Sequence, residues 1–175
     1  FGYACAGYVR NKGIEMSTGK YIAFCDDDDI WFPKKIEVQI NAMKKSGCKM
    51  SSTDGLFGND VYDINKNYKK YNAEHYYTTL QNIYRRKNSD LLKNDFPKIW
   101  SLDFLKIHNC IILSSVMVER ELMNFIGGFR PIPTAQDYGS DYDCLIGLLR
   151  ITSSIYVDEP LVYYDEDHGD GRNWE

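Results

Sequence analysis

The sequence predicts an α/β domain with a mainly parallel central sheet flanked by helices, and three observations carry that expectation. The apolar run Tyr21-Ile22-Ala23-Phe24-Cys25 is short, follows Gly19, and reads as a buried strand. Ile36, Ile40 and Met43 then recur at helical spacing, with Pro33 suited to a first turn and Gly47 to a stop. Cys48 to Thr53 offers the next strand, and strand–helix–strand order favours parallel pairing.

The remaining elements follow in order. Asp54 to Asn72 is rich in Asn, Asp, Lys and Gly and reads as loop. Asn72 to Asp95 carries Tyr76, Tyr77 and Tyr84 beside Arg85, Arg86 and Lys87, partly helical, and reads as a variable face for an acceptor or as half-buried tyrosines. Ile111 to Val118 is a strand candidate, and Glu119 to Phe125 a short helix stopped by Gly127-Gly128. Tyr142 to Arg150 turns Leu145, Leu148 and Leu149 inward as an amphipathic helix. Ile155-Tyr156-Val157 is strand-like, and Pro160 to Tyr164 leads into an acidic tail.

At 175 residues and 43% hydrophobic content the chain can build one core, so residues 1–175 are read as a single domain. A net charge of −4 argues against a general nucleic-acid binder. From Thr134 to Glu175 there are ten acids against two bases, so acidic character gathers in that quarter and in the run Asp26–Asp29. The five cysteines are odd in number, lack Cys-x-x-Cys spacing, and mostly lie in apolar stretches. They read as reduced, which points to a reducing, cytoplasmic compartment. No stretch approaches the roughly 18 apolar residues of a membrane span, so any membrane association is expected to be peripheral.

Asp26 to Asp29 follow the first strand directly, where ligands bind in parallel sheets. In an extended segment Asp26 and Asp28 would share one side and Asp27 and Asp29 the other. Like-facing carboxylates at roughly 6–7 Å repel by about 2.5 kcal/mol at an effective dielectric near 20. A divalent cation compensates such a cluster, and Mg²⁺ takes one or two carboxylates together with water and phosphate oxygens.

Several motifs stand in a telling order. They are Arg10-Asn11-x-Gly13, Gly19-Lys20-Tyr21-Ile22-Ala23-Phe24, and Asp26-Asp27-Asp28-Asp29-Ile30-Trp31-x-Pro33. Downstream come Ile126-Gly127-Gly128-Phe129, then Asp141-Tyr142-Asp143 before a leucine-rich helix, then Glu159-Pro160-Leu161-Val162-Tyr163-Tyr164 and His168. Together they resemble family-2 glycosyltransferases with the Rossmann-like GT-A fold, over most of the chain except Asp54 to Cys110.

The resemblance implies a metal-dependent, inverting transferase. It would move a sugar from a nucleoside-diphosphate sugar, UDP-sugars favoured, to a saccharide or other hydroxyl acceptor in glycan biosynthesis. It implies Mn²⁺ or Mg²⁺ as cofactor. Asp28 is the expected direct metal ligand and Asp26 the residue nearer the ribose, with Asp27 or Asp29 as substitutes because the run blurs the register. Arg10 matches a nucleotide-contacting position, and His168 stands where relatives sometimes supply a further metal ligand. Asp141 is the implied base for the acceptor hydroxyl, with Asp137 in reserve, although Ser140 stands where the family usually has Glu. Only 25 residues precede Asp26, fewer than the family places there. The N-terminal part of the nucleotide-binding half is therefore expected to be missing. Two other readings are a haloacid-dehalogenase-type phosphatase with Asp26 as nucleophile, and an inactive GT-A-like module that binds sugar or nucleotide.

Overall fold

The computed structural model describes residues 6–130 and 140–166. Its strands are β1 (Tyr21–Ala23), β2 (Ile30–Trp31), β3 (Met50–Gly58), β4 (Lys69–Lys70), β5 (Ile99–Trp100), β6 (Met117–Glu119) and β7 (Ser154–Asp165). The helices are α1 (Ala6–Met16), α2 (Lys35–Ser46), α3 (Tyr77–Arg86), α4 (Leu102–Leu105), α5 (Arg120–Ile126) and α6 (Ser140–Leu149). A π-helix covers Tyr71–His75 and a 3-10 turn Leu113–Ser115.

The α/β class holds, but the pairing corrects the expected mainly parallel sheet. The strand order is β1-β6-β3-β7-β2, with β4 on β3 and β5 on β7. Among the described residues β3·β7 is the one parallel pair, and the other five are antiparallel. β1 and β3 do run the same way, as a strand–helix–strand unit requires. Between them lies β6, whose Val118 pairs with both Ile22 and Met50. Local periodicity registers that a strand exists but not which slot it fills. Met117 and Val118, both essentially fully buried, fill the slot between β1 and β3. The candidate strand Ile111–Val118 thus shortens to Met117–Glu119, after the 3-10 turn.

Other boundaries move for physical reasons. The two strand fragments near the end form one strand, β7, because pairing with β3 continues through Pro160 across register shifts on either side of Asp54. Part of the expected loop after Thr53 is the second half of β3. α5 ends as anticipated, since Gly127 and Gly128 both adopt the positive φ (77° and 74°) that glycine tolerates.

α2 forms where expected and ends at a left-handed Gly47, but Pro33 lies before its left-handed N-cap Lys34 rather than in its first turn. Its buried residues are Lys35, Gln39 and Met43, while Ile36 is exposed. The apolar stripe holds at Met43 and is half-buried at Ile40, but the buried face is turned past Ile36 to include Gln39, because β3 presents the small polar Ser51 to this helix and Gln39 answers it. Gln39 Nε2 donates to Ser51 Oγ at 3.0 Å and to the Ser115 carbonyl at 2.8 Å. Met50, the neighbour of Ser51 and on the other side of the pleat, joins the main core with Ile22, Trp100, Phe104, Leu145 and Leu148.

Lys35 is 1% exposed, its Nζ lies 4.2 Å from the Trp31 ring centroid, and that nitrogen has no hydrogen-bond partner among the described residues. Burial lowers its pKa from 10.5 to about 7. The folded state then binds fewer protons than the unfolded state between these values. Stability therefore rises with pH from about 7 towards 10.5, and the penalty is complete once pH falls below about 7. Lys35→Met is expected to stabilise the fold at pH 7 by about 1–4 kcal/mol. The advantage shrinks towards pH 10 in urea unfolding followed across pH. An advantage independent of pH would contradict the assignment.

None of the four described cysteines is in a disulfide; Cys110 and Cys144 are buried, whereas Cys25 is exposed. Among the described residues, no helix is long and apolar enough to cross a membrane.

Candidate active site

β1 delivers the chain to Cys25, and the four aspartates then form a tight turn rather than an extended segment. The Asp29 N–H donates to the Asp26 carbonyl at 3.2 Å, which removes the expected two-by-two alternation. Asp26, Asp27, Asp28 and Asp29 all line a pocket of about 780 Å³. Asp29 is only 9% exposed, and its Oδ1 accepts from the Asp165 N–H at 3.0 Å, fastening the turn to the end of β7. Burial pushes its pKa up to about 6, a cost opposed by bonds from Ser114 and Asp165 and increased by the Asp28 and Asp26 charges. Asp29 thus anchors the turn as well as lining the pocket.

Ser114, which sequence reasoning did not single out, holds the turn from beneath. Its hydroxyl accepts from the Asp26 N–H at 2.9 Å, and its carbonyl accepts from Trp31 Nε1 at 2.8 Å. No local pattern distinguishes Ser114 from Ser115; only the fold brings it to the turn.

Arg10 stands on α1, a helix the sequence reading did not assign. Its Nη2 donates to Asp26 Oδ1 at 2.7 Å, and its guanidinium lies 5.6 Å from the Phe129 ring centroid. One residue on, Asn11 clamps the Gly-Gly-Phe segment. Asn11 Nδ2 donates to the Phe129 carbonyl, and the Phe129 N–H donates to Asn11 Oδ1, each at 2.8 Å. A side chain on Gly128 would collide with that Oδ1. Two motifs separated by more than a hundred residues are thus one structural unit that holds Arg10 over the acidic turn.

Asp141 lies in the first turn of α6 and lines the same pocket as Arg10 and Asp26–Asp28. Its Oδ1 accepts from the Tyr142 N–H at 2.7 Å. Asp143, on the same turn, forms a bidentate pair with Arg130, Nε to Oδ2 at 2.8 Å, and is committed to structure. Asp137 and His168 lie outside the described residues.

Among the described residues, no three His, Cys, Asp or Glu side chains are grouped to hold a metal by themselves. The donor set does fit another kind of site. Two or three carboxylates on one turn at a pocket rim suit a hard divalent cation that completes its shell with phosphate oxygens and water. Asp28 and Asp26 are the residues that would hold it.

The model of the family described as glycosyl transferase family 2 matches residues 6–102. An uncharacterised glycosyltransferase of Rickettsia bellii is 27% identical over 166 residues, covering 94% of this chain and 21% of the relative. One of Methanocaldococcus jannaschii is 38% identical over 140 residues, covering 79% of this chain and 40% of the relative. The Escherichia coli UDP-Glc:alpha-D-GlcNAc-diphosphoundecaprenol beta-1,3-glucosyltransferase WfgD is 37% identical over 62 residues, 35% of this chain and 22% of the relative. The chain thus spans less than half the length of these relatives. Neither the phosphatase nor the inactive-module reading draws support from them.

Proposed function

The chain belongs to glycosyl transferase family 2, and from that premise we propose that it transfers a sugar from a nucleoside-diphosphate sugar to a hydroxyl acceptor, with inversion and with a divalent metal. With the family comes the GT-A fold, built here on the mixed β1-β6-β3-β7-β2 sheet. The observation that carries the activity is the single pocket in which Arg10, Asp26, Asp27, Asp28 and Asp141 meet. A UDP-sugar is the favoured donor, in keeping with the UDP-glucose in the name of the E. coli relative.

In this reading the acceptor oxygen attacks the anomeric carbon from the face opposite the diphosphate. Its proton passes to the Asp141 carboxylate, and the bond from sugar to diphosphate oxygen breaks. Asp26 and Asp28 would hold the divalent ion, and Mn²⁺ or Mg²⁺ bound there would neutralise charge on the leaving diphosphate. Arg10 orients Asp26 and adds positive charge to the same corner. Ser114 and Asp29 keep the turn closed, so the carboxylates pay little reorganisation when donor arrives.

The test is slow hydrolysis of UDP-sugars by the intact protein with Mn²⁺ or Mg²⁺, followed as release of UDP and free sugar. Metal-dependent hydrolysis, inhibited by added UDP and lost with EDTA, is the expected result. If calorimetry finds no binding of any common nucleoside diphosphate with metal present, the reading fails.

A further inference from the structure

The segment outside the family motifs contains a fully buried carboxylate that the mechanism above does not use. Asp54 is 0% exposed, and its oxygens accept from the N–H groups of Gly55 and Asn72, each at 2.9 Å, and of Ala73 at 3.0 Å. It reaches this place because the pairing of β3 with β7 shifts on both sides of it. Burial raises its pKa, and the three N–H donors oppose that rise.

Two of those donors open the π-helix Tyr71–His75, so Asp54 acts as its anchor. Such helices are rare, and where they occur they frequently sit at functional sites. The Tyr76 N–H donates to the Tyr71 carbonyl at 2.8 Å, closing the wide turn. Asn72, 1% exposed, donates from Nδ2 to the Cys110 carbonyl at 3.0 Å, which ties the π-helix to the segment Asn109–Leu113. Tyr71, Tyr164 and Asn109–Leu113 all line the pocket that contains Asp141. The Tyr71 ring meets Tyr164 edge-on at 5.2 Å, and both rings are half-buried.

We propose that Asp54 and Asn72 are positioning residues that hold Tyr71 as the platform for the acceptor's sugar ring, so that acceptor choice is set from the π-helix. The inference rests on the transferase reading above. The charged half of the donor has its partners in Arg10 and the aspartate turn, whereas the Tyr71–Tyr164 pair offers aromatic surface and phenol groups. That combination suits a pyranose, which has apolar C–H faces and a rim of hydroxyls. The Tyr71 phenol, pushed up to about 12 by burial, is a neutral hydrogen-bond donor at working pH as any tyrosine is.

The experiment compares two reactions of the intact protein with UDP-glucose or UDP-N-acetylglucosamine and Mn²⁺: hydrolysis of the donor, and transfer to p-nitrophenyl glucosides and N-acetylglucosaminides. Tyr71→Ala is expected to raise the acceptor KM about tenfold, the scale of one lost aromatic contact, while hydrolysis stays within about twofold. Tyr71→Phe keeps the ring but loses the phenol donor, and is expected to raise the acceptor KM by less than Tyr71→Ala does. Asp54→Asn, with folding checked by circular dichroism, is expected to shift acceptor KM in the same direction as Tyr71→Ala although it does not line the pocket. An unchanged acceptor KM in Tyr71→Ala, or a parallel fall in hydrolysis and transfer, overturns the proposal. A wild type that neither hydrolyses donor nor binds UDP sinks the transferase reading itself, and this inference with it.

Discussion

Replacing Asp26 and Asp28 together by asparagine is expected to lower sugar transfer by at least about 10³-fold, the scale reached when electrostatic stabilisation of a leaving group is removed. The loss should appear in both nucleotide binding and turnover, because the two carboxylates would serve the ground-state diphosphate and the charge that grows on it. The fold should survive. Asp29, not either of these, accepts the bond from Asp165, and the Asp26 backbone N–H still reaches Ser114. Removing two negative charges from a crowded turn also relieves repulsion. The check is metal-dependent UDP binding by calorimetry alongside a thermal melt. A double variant that melts normally and still transfers sugar at the wild-type rate would end the proposed mechanism.

Asp141→Asn separates binding from chemistry. The asparagine carbonyl can still accept the Tyr142 N–H, so the start of α6 keeps its local bond. What disappears is the group that takes the acceptor proton, a contribution of about 10²–10⁴-fold in rate. UDP affinity should stay within about twofold of wild type, while kcat falls by that factor. Equal activity in wild type and variant would move the base elsewhere, with Asp137 the first residue to test. Asp143 offers a built-in contrast, since its carboxylate is already occupied by Arg130.

Much of the site could be read in advance because its chemistry is dense in the sequence. Four consecutive carboxylates after an apolar strand have few inexpensive explanations, and the Arg-Asn and Gly-Gly-Phe motifs constrain backbone that only particular residues tolerate. What misled the reading was treating the aspartates as extended. A turn closed by the Asp29 N–H brings all four aspartates to one pocket and fastens one of them, Asp29, to the end of β7, and that depends on where Asp165 and Ser114 arrive. The buried face of α2 was only partly legible, Met43 being buried and Ile36 exposed, for a related reason. Apolar periodicity assumes an apolar partner, and here the partner surface includes Ser51 and the Ser115 carbonyl.

The sequence alone determined the α/β class, the family, and the acidic and basic residue types that meet at the pocket, because these follow from local patterns of polarity, glycine and charge. Tertiary structure decided which strands became neighbours, which aspartate is tied to the end of β7, and how Asp54 reaches the π-helix beside the pocket. Those outcomes depend on residues far apart in the chain competing for the same hydrogen bonds and the same buried volume, and no local window of sequence contains both competitors.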